Sequence, residues 1–201
     1  MNQTAFAPLC QAPDYEIRSP KIVFPPGAAD CHAHVCGPAS QFPYAQERIY
    51  TPPDATLESY ESLLAMLGVE RAVLVQPSVY GTDNRAMLAA LTAQAAKFRG
   101  VAVIPNNANE TSDTELEQLH AAGVRGIRCN IVDVADKSAG LPIQNLHALA
   151  ERIKPFGWHL ELLMHVNEYP KLAKVFENFP VDLVFGHFGY SHAKHGVNDE
   201  G

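Results

Sequence analysis

No window of this 201-residue sequence approaches 18 uninterrupted apolar residues, so no membrane-spanning helix is expected. Runs of Lys and Arg are missing too. With 15 Lys+Arg against 22 Asp+Glu the formal charge is −7, which argues against nucleic acid as a partner. Four cysteines (Cys10, Cys31, Cys36 and Cys129) are too few and too irregularly spaced for a disulfide framework, and a reducing cytoplasm is the expected location. Met1–Pro20 has no basic stretch followed by an apolar one, so no secretory signal is read there. Internal repeats, low-complexity segments, GxGxxG and the P-loop are all absent, which removes the usual nucleotide-site signatures. What the chain does have is 47% apolar residues, 18% charged residues and nine histidines. That composition describes a globular α/β-sized domain, and the histidines carry the clues to chemistry.

Five prolines mark residues 1–27 as an irregular leader, and residues 28–201 read as one partial barrel. Strands are expected at Ala28–Val35, Arg71–Gln76, Gly100–Ile104, Gly126–Asn130, His159–Met164 and Val181–Gly186. Between them, helices are expected from Thr56 to Gly68, from an Asp83 cap to Lys97, from Ser112 to Gly123, over Gln144–Phe156 and over Glu168–Asn178. Thr56 begins the first helical pattern and Gly68 stops it, and Ser112 with Glu115 has capping-box spacing. Alternation of strand and helix implies a parallel sheet with right-handed crossovers. The consecutive apolar runs VLV, VAV and LVF fit strands buried on both faces. An open doubly wound sheet and a (β/α)8 barrel both satisfy this pattern. As a barrel, strand starts roughly 31 residues apart account for six of eight strands, two units short of the usual ~250 residues.

Polar residues gather at the strand ends. Strand one ends in Asp30-Cys31-His32-Ala33-His34, and alternation puts both histidines on one face. Strand four ends with Arg128, strand five with His165, strand six with His187. Imidazoles sharing one barrel rim could polarise a carbonyl oxygen or hold a divalent metal. Cys31 is expected on the helix-facing side of strand one, and a Cys/His zinc knot is disfavoured by the spacing. Tyr44, Tyr50, Ser78 and Thr82 lie in loops at the same rim. His120 and His147 on helices, and His192 and His195 in the last segment, are expected to be solvated; His159 has no evident role.

The stretches DCHAHVCGP, FPYAQERIYTPPDAT, VQPSVYGTDNR, AAGVRGIRCN, FGWH and GHFG, in this order over about residues 22–190, resemble the amidohydrolase-related lactonases. That resemblance implies a (β/α)8 TIM barrel of the amidohydrolase superfamily that opens a small carboxylated lactone in aromatic or sugar-acid catabolism. It implies His32, His34 and His187 as the carbonyl-polarising cluster, Tyr50, Ser78 and Arg128 around the substrate, and no required cofactor. The pyrone lactonases have a second Arg soon after the one matching Arg128, where this chain has IVDVADK with Asp133 and Asp136. At strand five, Leu163 stands in place of a Tyr and His165 in place of an acidic residue. His165 is similar to the strand-five ligand of mononuclear decarboxylases of the superfamily, so the alternative is one divalent metal, such as zinc, on His32, His34 and His165. The superfamily's strand-eight Asp lies beyond Gly201, so the 201-residue chain alone is expected to be inactive unless a residue such as Asp30 supplies the base. A non-catalytic barrel fragment is the reading from another class. A surface ion pair with Asp133 or Asp136 is the structural alternative for Arg128.

Overall fold

A computed structural model describes residues 7–14, 16–132, 140–169, 171–191, 194 and 196. The chain divides into two compact units, Met1–Gly100 and Val101–Gly201. Six strands alternate with helices, and the hydrogen-bonded order is β1 to β6 in sequence order. That order belongs to a (β/α)8-type barrel, since a doubly wound sheet reverses direction at a switch point. The pairings of β1 with β2, β4 with β5 and β5 with β6 are all parallel.

The first unit holds β1 (Ala29–Ala33), α1 (Leu57–Leu67), β2 (Arg71–Val75), α2 (Arg85–Ala93) and the start of β3 (Phe98–Ala102). Thr56 caps α1 by accepting the Ser59 N–H at 3.4 Å, and Tyr60 and Leu64 on its inner stripe are buried. Gly68 ends it at φ 71°, a left-handed conformation a side chain resists. Helix α2 stops at Ala93, four residues before the expected Lys97. The cause is β3, which begins at Phe98 rather than Gly100 because the Phe98 ring is a core element, 2% exposed. A Cβ on Gly100 would stand 2.6 Å from Leu91 Cδ1, so glycine there lets α2 lie directly on the strand. Before β1, Thr51 N donates to Pro8 O at 2.7 Å and Cys10 N to Thr51 O at 2.9 Å, tying the described leader residues to the first long loop.

The second unit contains α3 (Asp113–Ala121), β4 (Val124–Asn130), α4 (Ile143–Ile153), β5 (His159–Leu163), α5 (Leu172–Val175) and β6 (Leu183–Phe185). The capping box forms as the spacing implies, with Glu115 N on Ser112 Oγ and Ser112 N on Glu115 Oε2. Leu146, Leu149, Ala150 and Ile153 make the buried stripe of α4. Trp158 is 2% exposed and donates from its indole N–H to His120 Nδ1 at 3.0 Å. His120 is therefore half-buried against Phe156 and Trp158 rather than solvated. The expected long fifth helix shrinks to four residues, because Lys171 (φ 66°) and Asn178 (φ 62°) take left-handed conformations. Two strand expectations also fail. Val184 and Phe185 of β6 are 42% and 37% exposed, and Cys31 of β1 is exposed instead of helix-covered. Both strands sit at the ends of the described order, where one neighbour is lacking.

Candidate active site

In the first unit, strand alternation alone does not place the HxH pair. Ala29 and Asp30 pair with Arg71 and Ala72, but Ala33 pairs with Leu74, so β1 carries one extra residue. A bulge of this kind re-aims side chains. Asp30 secures it: Oδ1 accepts the His32 N–H at 3.1 Å and Oδ2 accepts the Tyr60 hydroxyl at 2.9 Å. Burial, together with this bond to Asp30, keeps Tyr60 protonated well above the usual phenol range. Asp30 thus serves the strand and α1 rather than standing open as a base.

The two imidazoles meet edge to face with centroids 5.1 Å apart. His34 Nδ1 lies 2.7 Å from Val75 O at the end of β2. A carbonyl oxygen only accepts, so Nδ1 carries the proton and Nε2 is the atom turned to chemistry. The neutral ring then offers an acceptor at Nε2, and the imidazolium offers a charge-assisted donor.

Ser78 opens a short 3-10 turn directly after β2, half-buried. Tyr50 packs with Phe42 and Tyr44 on a cluster of Cys36, Val79, Tyr80 and Ala86. The Gly37 N–H donates to the Tyr80 hydroxyl at 2.7 Å, and the Tyr44 ring lies 5.0 Å from that of Tyr80. Burial pushes the Cys36 thiol up to about 11, so it is an inert packing group.

In the second unit, Arg128 is not at the surface. Its side chain is 6% exposed and its Nε sits 3.3 Å from Oε1 of Glu161, itself 3% exposed. The two residues are register partners on β4 and β5. Asp133 and Asp136, the expected partners, lie outside the described residues, as do His192 and His195. His159, two residues before Glu161, covers Gly126, where a Cβ would clash with the ring at 2.5 Å. His147 is exposed and meets Phe179 at 4.6 Å. His165 and His187 both pack on Tyr190, at centroid distances of 5.0 and 5.3 Å. His187 opens a run of four left-handed residues, 187–190, with φ between 53° and 63°. Gly189 in that run leans on Val166, 2.4 Å from where a Cβ would be.

Sequence reasoning passed over Glu161, Tyr60 and Val75. Glu161 had a signal, a single carboxylate inside the apolar run HLELL. Val75 had none, since its part is played by a backbone carbonyl. A mononuclear metal site takes at least three protein ligands. Among the described residues, no three His, Cys, Asp or Glu side chains are grouped to hold an ion.

The strand order is that of the (β/α)8 class, with the HxH pair at the end of β1 and just beyond it. Residues 29–201 match the family model described as Amidohydrolase, and the chain belongs to that family. It is 40% identical over 182 residues to a 2-pyrone-4,6-dicarboxylate hydrolase of Comamonas testosteroni, covering 90% of this chain and 58% of that protein. It is 30% identical over 192 residues to a 4-sulfomuconolactone hydrolase of Hydrogenophaga intermedia, covering 96% and 62%. Among solved structures, it resembles a "probable 2-pyrone-4,6-dicarboxylic acid hydrolase" of Acinetobacter baumannii with citric acid bound. The TM-score is 0.72 at 28% identity, over 86% of this chain and 62% of that one. The chain therefore spans about three fifths of the length of these relatives.

Proposed function

We propose that the protein hydrolyses small carboxylated lactones of the pyrone-carboxylate and muconolactone kind, in aromatic or sugar-acid catabolism. The observation that carries this reading is the His32/His34 pair, bulge-set and anchored on Val75 O, in a family member whose relatives are named as lactone hydrolases. His32, His34 and His187 are assigned to the lactone carbonyl, where each good donor to the developing oxyanion contributes about 3–4 kcal/mol. His34 faces the carbonyl with Nε2, because Nδ1 is committed to Val75. Arg128 holds the substrate carboxylate, and Tyr50 and Ser78 bound the ring. Water loses one proton to a general base as it adds to the carbonyl carbon. The tetrahedral intermediate expels the ring oxygen, which takes that proton, and the new acid ionises to a carboxylate beside the enol or alcohol.

Small carboxylated lactones are thus the assigned partners, with neither nucleic acid nor membrane. No helix among the described residues is long and apolar enough to cross a membrane. All four cysteines are free thiols, which supports a cytoplasmic location. A second reading is favoured by the Nδ1–carbonyl bond of His34, the usual support of a metal-bound imidazole. Under it, His32, His34 and His165 would hold one divalent ion such as zinc, and they would have to draw together to do so, since no such trio is grouped among the described residues. The test is ring opening, followed by loss of pyrone absorbance, by the gene-encoded protein with metal content measured in parallel. Turnover retained after chelation supports the cofactor-free reading. One bound metal per chain, with activity lost on chelation, supports the second. No turnover of any pyrone or muconolactone contradicts both.

A further inference from the structure

The chemistry above gives Glu161 no task, yet Arg128 and Glu161 are the charged side chains buried in the described core. A buried ion pair is a poor stabilising device, and apolar residues of similar volume commonly serve as well or better. Glu161 also stands alone as a charge within HLELL, where leucine would suit the strand. Its position is fixed from three sides: register with Arg128 on β4, Oε1 on the Nε edge of the guanidinium, and Gly186 behind it. A Cβ on Gly186 would stand only 3.5 Å from Oε1, so the chain after β6 packs on the carboxylate. The guanidinium charge is matched by a carboxylate 3.3 Å away in a poorly screened interior.

We propose that Glu161 is a specificity-determining residue: it offsets the charge of Arg128, so that the site selects lactones with one negative charge over lactones with two. The inference rests on Arg128 meeting substrate carboxylate, as in the lactone reading. The second carboxylate of a dianion finds a guanidinium already matched, and Glu161 adds like-charge repulsion.

The experiment uses non-reacting probes, so it does not depend on turnover. Isophthalate and its monomethyl ester have the same ring and differ by one charge. Calorimetry on the gene-encoded protein at fixed ionic strength should show the monoester bound at least as tightly as isophthalate. Glu161→Gln keeps the shape while removing the charge. It should raise the affinity ratio of isophthalate to monoester by at least tenfold, a change that loss of packing alone would not produce. A wild-type preference for isophthalate of tenfold or more overturns the proposal, as does an unchanged ratio in a folded Glu161→Gln protein. If that variant does not fold, the wild-type comparison decides by itself. Selectivity as stated in a protein that opens no lactone contradicts the lactone reading and leaves the role of Glu161 standing.

Discussion

The HxH pair of the first unit and the Arg128–Glu161 pair of the second are held by opposite means. The histidines are half-buried, and backbone sets them: a bulge in β1, the Val75 carbonyl, and Asp30 bridging the His32 N–H and the Tyr60 hydroxyl. The arginine is buried and faces a buried carboxylate, its Nε 3.3 Å from Glu161 Oε1. A site fixed by backbone tolerates the loss of one side chain, because the scaffold remains satisfied. A site fixed by a buried charge does not, because the partner is left stranded.

The largest expected effect breaks the second arrangement. Arg128→Met strands Glu161 and should destabilise the protein by about 3–5 kcal/mol in urea titrations. The same change should cut kcat/KM for carboxylated lactones at least tenfold in the protein that folds. Adding Glu161→Leu should recover most of the stability and none of the activity. An Arg128→Met protein of wild-type stability would show that the pair is not a buried unit.

Next comes the first arrangement. His34→Gln removes a carbonyl donor and should lower kcat by roughly 10²–10³-fold, with the melting temperature within a few degrees of wild type. A large loss of stability instead would mean that the imidazole, not the backbone, organises the end of β1. Tyr60→Phe should act more mildly, costing about 1 kcal/mol of stability for one hydrogen bond to a carboxylate. A few-fold drop in kcat should accompany it as the bulge loosens. Stability and kcat both unchanged would remove Asp30–Tyr60 as the clamp.

The smallest effect is one of pH. Burial pushes the Glu161 carboxyl above its ordinary range, and Arg128 opposes this only in part. Folding therefore favours the protonated form. The contribution to stability is complete below the unfolded value of about 4.3 and is lost as pH rises through the folded one. Wild-type stability minus that of Glu161→Gln should decline with rising pH across that window. A rising difference would mean that Arg128 outweighs burial.

The legible parts of this molecule were those governed by residues close in sequence. Thr56 and Gly68 bound α1, Ser112 and Glu115 start α3, and six strands alternating with five helices mark an α/β fold with a parallel sheet. The HxH motif announced itself because its members are two residues apart. Arg128 and Glu161 are far apart in sequence and meet only through strand register, which composition does not encode. The early end of α2 was decided by a Phe98 ring seeking the core, and the short α5 by left-handed Lys171, with Pro170 beside it as the overlooked sign. Cys31 and the LVF run misled because apolar pattern reports what a strand would bury, not how many neighbours it has.

The stretch from His187 to Tyr190 winds with the opposite hand to the α-helices among the described residues. For an L-amino acid that hand costs roughly 1–2 kcal/mol per residue, while its mirror image would sit there at ease. Chirality is thus a probe of this turn that leaves composition untouched. D-phenylalanine at position 188, introduced by semisynthesis, keeps the same exposed ring and should raise the melting temperature, whereas a D-residue within α4 should lower it.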